Sequence, residues 1–303
     1  MLCPHGCGVD RSVGEVGVCG AGPDMAVSRA ALHFWEEPPI SGDAGSGTIF
    51  FANCSLRCCY CQNAAISRGG AGRAASVREV ADMMLDLQRQ GAMNVNLVTP
   101  THYSDAVRNA VAVAREDGLV LPVVWNTSGY ETVENVRANK GTVDVYLTDF
   151  KYCDDRMSKA YSGVSDYVEV ATCALEAMVE CAGLPEYDDF GGVERMTRGV
   201  VVRHLLLPGG LDDSKAALRL LRHRFGSSVK VSIMNQYTPV LASAAESGDA
   251  AAKATLERHP QLADAVPYAD YEELLDYADA IGLEDYFWQD GETCKESFIP
   301  DFE

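Results

Sequence analysis

From residue 48 onward, short runs rich in Val, Ile, Leu and aromatic residues alternate with longer stretches whose apolar positions recur every three or four residues. These are the periods of a buried strand and an amphipathic helix. The pattern predicts strands at 48–51, 95–98, 121–125, 143–147, 200–207 and 229–234. It predicts helices at 76–90, 104–115, 132–138, 166–182, 213–224 and 270–282. The first helix opens on Ser76, a good N-cap, and places Val80, Met83, Met84 and Leu87 on one face. The last aligns Tyr271, Leu274, Leu275 and Ala278. Repeated strand–helix units imply a parallel sheet with right-handed crossovers, and about six fit, two short of a closed eightfold barrel. The expected fold is therefore α/β, a partial (β/α)6 TIM-like barrel of parallel strands with an N-terminal cysteine-containing extension. The extension is expected over 1–46 and the barrel domain over 47–303. The barrel domain includes an alanine-rich insertion at 241–265, read as an exposed helix or helix pair. Its tail, 284–303, contains Tyr286, Phe287 and Trp288 and is expected to cover the base or the open edge of the barrel.

Composition narrows the function class. Hydrophobic residues make up 47% of the 303-residue chain, enough for a large core. No apolar stretch approaches 18 residues, so no membrane span is predicted. The amino terminus has neither the basic start nor the apolar middle of a signal peptide. With 44 acidic against 25 basic residues the formal charge is −19, which repels phosphate backbones and argues against nucleic acid as a partner. Eleven cysteines could mean a disulfide scaffold, but their clustering and the missing export signal favour a reducing cytoplasm and a metal or catalytic role. These features predict a soluble, cytoplasmic, oxygen-sensitive metalloenzyme.

The cysteines that matter most follow the first strand, in the run Cys54-Ser-Leu-Arg-Cys58-Cys-Tyr-Cys61. The spacing Cys-x3-Cys-x2-Cys brings three thiolates within one short loop. Iron–sulfur cubanes are held by cysteine thiolates and usually take four, so three leave one iron open to a small molecule. Plain core packing of small hydrophobes and a zinc site are the alternatives, but structural zinc normally takes four ligands in paired spacing. Cys59 sits in a variable position and reads as packing. The run resembles the signature of the radical S-adenosylmethionine superfamily, including the aromatic residue before the last cysteine, here Tyr60. The resemblance implies that Cys54, Cys58 and Cys61 hold a 4Fe–4S cluster whose open iron is chelated by S-adenosylmethionine. It further implies reductive cleavage of that cofactor and a 5′-deoxyadenosyl radical that abstracts hydrogen from a substrate, with Tyr60 packed near the adenine.

Other polar groups fall at the carboxyl ends of predicted strands, where barrel active sites lie. Thr99, Pro100 and Thr101 follow the second strand, where the family commonly has a glycine-rich segment that meets the cofactor's amino group. Asn126 and Ser128 follow the third and offer small polar groups to a ribose or carboxylate. Asp149-Phe-Lys151 ends the fourth, and alternation sends both charged side chains to one side. This element resembles the Asp-x-Lys of enzymes that activate glycyl radical proteins, in which the lysine would hold the cofactor carboxylate and the aspartate fix it or face the substrate. A surface ion pair is the plain alternative. Arg203, in Arg203-His-Leu-Leu-Leu-Pro208-Gly209, resembles the cofactor-contacting arginine of the same activases. An arginine inside an apolar strand is costly unless paired, whereas His204 faces the other way and reads as a packed histidine. The sixth strand ends in Asn235, Gln236 and Tyr237, where the activases often carry a histidine.

Over nearly the whole chain the joint set of motifs is similar to uncharacterised radical proteins related to pyruvate formate-lyase activating enzymes. The implied cofactors are a 4Fe–4S cluster and S-adenosylmethionine. The implied partners are an electron donor such as flavodoxin or ferredoxin and a glycyl radical protein. A second cysteine group, Cys3, Cys7 and Cys19, is flanked by glycines that permit metal knuckles and is a candidate for a second metal. Cys153, Cys173, Cys181 and Cys294 are scattered and read as structural. The expectation is thus a radical S-adenosylmethionine enzyme, with a non-catalytic iron–sulfur or zinc protein in redox sensing or electron transfer as the alternative.

Overall fold

In the computed structural model, which describes residues 2–68 and 71–289, one ten-stranded sheet organises the chain. It begins with β1 (Met25–His33), α1 (Pro38–Ser41) and β2 (Ser46–Phe51). After the short α2 (Ala64–Ser67) and β3 (Arg73–Ala75), helices and strands alternate. These are α3 (Val77–Arg89), β4 (Val95–Val98), α4 (Ser104–Glu116), β5 (Val123–Thr127), α5 (Val133–Ala138) and β6 (Val145–Asp149). Two helices follow, α6 (Asp155–Ser162) and α7 (Tyr167–Ala182), and then a hairpin of β7 (Glu186–Phe190) and β8 (Val193–Leu205). The rest is α8 (Leu211–Phe225), β9 (Lys230–Met234), α9 (Val240–Glu246), α10 (Ala250–Arg258), α11 (Tyr268–Ala280) and β10 (Phe287–Trp288).

The spatial order is β10-β9-β8-β6-β5-β4-β2-β1-β3, with β7 paired only to β8. From β2 through β9 every neighbour is parallel, which gives the six consecutive parallel strands that the period predicted. Among the described residues the first and last strands do not meet, so the sheet is an open, partial barrel. Local sequence explains most boundaries. Ser76 caps α3, and Glu79 returns the bond to the Ser76 backbone, a reciprocal capping box. The insertion is a helix pair, α9 and α10, and Asp249 caps the second by accepting from Ala251 and Ala252. The tail, as far as it is described, adds β10 parallel to β9 at the open edge; residues 290–303, with Cys294, lie outside the described residues.

Besides the short α2, β3 and β10, four elements were not expected from the periodicity. β1 runs antiparallel to β2 and carries residues 25–33 into the sheet. α6 is capped by Asp154 and ended by Gly163 in the left-handed conformation. The β7–β8 hairpin turns on Gly191-Gly192, both at positive φ (66° and 90°), the conformation a two-residue hairpin loop requires. The short α1 lies inside the curve of the sheet rather than outside it. Its Ile40 is fully buried in a small cluster with Val124, Val145, Leu147, Met196 and Val201. The alternate residues of the same strands, Trp125, Tyr146, Val200 and Val202, belong to the main core with the helices. The sheet therefore buries both faces, one under helices and one against a plug supplied by residues 36–41.

Candidate active site

β2 is buried along its whole length and delivers the cysteine loop to the carboxyl end of the sheet. The loop is conformationally unusual. Asn53 (φ 72°) and Arg57 (φ 50°) both occupy the left-handed region, which costs a non-glycine residue about 1–3 kcal/mol. That cost is offset by contacts: Asn53 Nδ2 donates to the Tyr103 hydroxyl at 3.2 Å and Arg57 Nη1 donates to the Val18 carbonyl at 3.1 Å. As a result Cys54, Cys58 and Cys61 line one cavity of about 240 Å³. Burial pushes the Cys54 thiol up to about 12, and the neighbouring Cys58 and Cys61 push it further in the same direction. Cys61 is raised by burial and by Cys58. Cys54 and Cys61, whose ionisation is opposed by desolvation and by the neighbouring sulfur, form with Cys58 a sulfur donor set, and a bound metal reverses that balance. No group of three or more His, Cys, Asp or Glu among the described residues is gathered for a single metal ion. Structural zinc normally takes four ligands, whereas three thiolates suit a cubane with one open iron, so the number and type of donors fit a cluster.

The opposite wall comes from the strand ends. Thr99, Asn126, Ser128, Asp149, Lys151 and Arg203 all line the cavity, as does Tyr60. Thr99 adopts φ 58°, a backbone that glycine would hold without strain. Lys151 Nζ lies 2.5 Å from Asp149 Oδ2. Burial disfavours the Lys151 ammonium, but Asp149 and the nearby Cys58 sulfur hold its pKa above the ordinary lysine value. The loop after β5 can approach this pair because residue 129 is glycine: a Cβ there would sit 2.3 Å from the Asp149 carbonyl oxygen. Pro100 and Thr101 need correction, since neither is part of the cavity wall. The chain enters a 3₁₀ turn at Thr101, and the Thr101 hydroxyl donates to Glu131 at 2.7 Å instead.

Arg203 is paired, with partners the sequence did not suggest. Its Nε donates to Glu37 Oε1 at 2.8 Å and its Nη2 to Glu37 Oε2 at 2.6 Å, while Nη2 also pairs with Glu36. Glu36 accepts from Asn96 Nδ2 at 2.8 Å and Asn126 Nδ2 at 3.5 Å. Burial works to raise the Glu37 carboxyl, but the Arg203 charge and hydrogen bonds hold it below the usual range. These carboxylates stand immediately before the α1 plug, so the floor of the cavity and the stopper of the lumen are one segment. The ladder sets Asp149 beside Arg203 and Arg203 beside Ser232, which fixes this row of polar groups across three strands.

Glu131 also escaped the sequence reading. It is buried and accepts from Thr101, Thr127 (2.9 Å), Trp125 Nε1 (3.1 Å) and Asn135 Nδ2 (3.0 Å), and burial raises its pKa. It ties the turn after β4 to the end of β5, directly behind Thr99 and Asn126. Three of its four partners lie within six residues and only Thr101 is distant, but no helical or strand period marks a carboxylate that turns inward to meet them. The expected second metal at Cys3, Cys7 and Cys19 finds no support, since no single-ion group exists among the described residues. Cys7 Sγ instead accepts the Val18 N–H and Cys19 Sγ accepts from Arg11.

Among known proteins, residues 48–185 match the Radical SAM superfamily. An uncharacterized protein of Methanocaldococcus jannaschii is 26% identical over 292 residues, covering 93% of this chain and 75% of the relative. Two solved structures share the fold. A radical SAM methyltransferase from Sphaerobacter thermophilus superposes with a TM-score of 0.53 at 14% identity, covering 80% of this chain. Streptococcus suis SuiB, solved with its precursor peptide SuiA, gives 0.51 at 14% identity over 79% of this chain. This chain spans 66% and 47% of their respective lengths, less than two thirds of each. Residues 48–185, which carry the cysteine loop at the carboxyl end of an open parallel sheet, are thus the part of this chain that is similar to the Radical SAM superfamily.

Proposed function

We propose that Cys54, Cys58 and Cys61 hold a 4Fe–4S cluster and that the adjoining cavity takes up S-adenosylmethionine. The observation that carries this reading is the meeting of three thiols with the Asp149–Lys151 pair in a single cavity. When bound, such a cluster supplies one electron for cleavage of the sulfonium, giving a carbon-centred radical that abstracts hydrogen from a substrate. The chain's own residues bind, orient and exclude water. Lys151 presents a fixed ammonium to the cofactor carboxylate, and Asp149 keeps it charged and aimed. Thr99, Asn126 and Ser128 offer hydrogen bonds to the amino and ribose groups. Tyr60, edge-on to Tyr161 at 6.0 Å, forms an apolar wall for the adenine and shields the site from water. Arg203, already held by two glutamates, orders the floor and steers the polar end of the cofactor.

The test is anaerobic. Reconstituted protein given dithionite and S-adenosylmethionine is expected to form 5′-deoxyadenosine, detected by mass spectrometry, and Cys58→Ala to form none. Lys151→Ala is expected to weaken S-adenosylmethionine binding about tenfold or more, the scale of a lost charge-assisted bond. A loaded cluster whose spectrum ignores S-adenosylmethionine would turn the reading to a redox-sensing protein.

A finer reading, activation of a glycyl radical protein with electrons from a flavodoxin or ferredoxin, is supported by Asp149-Phe-Lys151 and by Arg203 followed by Pro208-Gly209. Co-incubation with a candidate partner should then give a stable glycyl radical signal by electron paramagnetic resonance, and its absence with every such partner counts against activation.

A further inference from the structure

Ser162 is the last residue of α6, the helix that the periodicity did not predict. Its Oγ lies 3.1 Å from Cys58 Sγ and 2.6 Å from the Tyr152 hydroxyl, and the Tyr152 hydroxyl lies 2.9 Å from that of Tyr60. An unbroken line of hydroxyls thus joins the aromatic residue of the cysteine motif to the middle cysteine, through two residues outside the motif. Tyr152 is fully buried and Tyr60 is 6% exposed, so water does not compete for these bonds.

Each hydroxyl has one hydrogen. Tyr152 can donate to Tyr60 or to Ser162 but not to both, and the end of the line that most needs a donor decides the direction. A thiolate at Cys58 can only accept, and bonds to a charged acceptor are about twice as strong as neutral ones. In this structure Tyr152 donates to Tyr60. A thiolate ligand at Cys58 turns the hydroxyls so that the line runs from Tyr60 to Tyr152 to Ser162 to sulfur, each bond polarising the next.

We propose that Ser162 is a positioning residue for the metal centre: its hydroxyl donates to Cys58 Sγ and raises the reduction potential of the cluster, with Tyr152 as relay. This rests on the reading of Cys58 as a cluster ligand. Hydrogen bonds to cysteine sulfur are among the means by which proteins set cluster potentials. The sign follows from charge, because a donor stabilises the more electron-rich reduced state more than the oxidised one. The line also locks the Tyr60 ring against the loop.

The experiment compares the reconstituted full-length wild type with Ser162→Ala, Ser162→Thr and Tyr152→Phe. Each is titrated with dithionite in the presence of mediator dyes, and iron content is measured alongside. At the solution potential that half-reduces the wild type, Ser162→Ala is expected to show a reduced fraction lower by about threefold or more by electron paramagnetic resonance. Ser162→Thr, which keeps the hydroxyl, should restore it, and Tyr152→Phe should give a smaller fall in the same direction. After exchange into heavy water, electron–nuclear double resonance should detect a deuteron coupled to the reduced wild-type cluster and lose it in Ser162→Ala. Unchanged reduced fraction and deuteron coupling in a fully loaded Ser162→Ala, or an unchanged Tyr152→Phe together with a Ser162→Thr that fails to restore the potential, overturns the proposal. A wild type that takes up no iron overturns the ligand assignment itself and the proposal with it, and the iron content tells the two failures apart.

Discussion

Arg203 and His204 are neighbours in β8, and the sheet sends one to each face. Arg203 points into the lumen, where Glu36 and Glu37 surround its guanidinium. His204 points under the helices, where its two ring nitrogens meet the Phe150 carbonyl at 2.6 Å and the Ser214 hydroxyl at 2.8 Å. Burial has opposite consequences on the two sides. In the lumen it traps a charge that survives because opposite charges are trapped with it. Under the helices it drives the histidine to neutrality, its pKa pushed down to about 4. The outer face of the sheet is built as an ordinary core, whereas the inner face is a polar site standing on a small apolar plug.

The strongest way to break that contrast is Arg203→Ala. Two buried carboxylates would lose their cation, and the fold is expected to lose about 3–5 kcal/mol at pH 7 in a denaturant titration. The loss should shrink as pH falls towards 5, because Glu37, left with the burial that raises its pKa and without the Arg203 charge that lowers it, takes up a proton in the folded state. A small loss that ignores pH would mean that the glutamates are not held by Arg203. Next in size is the plug. Ile40→Ala removes a fully buried side chain from the luminal cluster and is expected to cost about 3 kcal/mol, within the usual range for such truncations. A cost below about 1 kcal/mol would show that residues 36–41 lie loosely in the lumen.

The smallest effect concerns the outer face, and its sign can be worked out. The folded pKa of His204 lies below its ordinary value of 6.5, so the unfolded chain binds a proton that the folded chain refuses. The contribution of His204 is therefore complete above pH 6.5 and falls by about 1.4 kcal/mol per pH unit as pH drops towards 4. His204→Gln should cost about 1 kcal/mol at pH 7.5 for the altered hydrogen bonds, and that gap should close on acidification. Other titrating groups, such as Asp213 with its pKa pushed up to about 6, are common to both proteins and cancel in the difference. Parallel stability curves from pH 7.5 to 4.5 would mean that His204 is not held neutral.

How far the sequence could be read follows the same division. The six parallel strands and their helices were legible because each amphipathic stretch states its own period, and a cap such as Ser76 acts on a residue three away. The three cysteines and the Asp149–Lys151 pair were legible for the same reason: the groups that act together lie within eight residues. α6 could have been found from Asp154 and Gly163 at its ends, and the β7–β8 hairpin from Gly191-Gly192, signals that a search for long periodic runs passes over. Glu36, Glu37 and Glu131 left no such signal. Glu37 and Arg203 are 166 residues apart, and nothing local distinguishes a carboxylate that will be buried from one that faces water.

By itself, then, the sequence determined the parallel strand–helix order, the cysteine loop and the resemblance to the radical SAM superfamily that this loop carries, because each is written in contacts of short range. Only the tertiary structure decided that residues 36–41 fill the lumen, that Arg203 is balanced by two glutamates, that Thr101 turns away from the cavity and that Ser162 reaches Cys58. Those outcomes depend on which strands stand side by side and how sharply the sheet curves. Both are set by the packing of the whole chain, and no window of residues contains them.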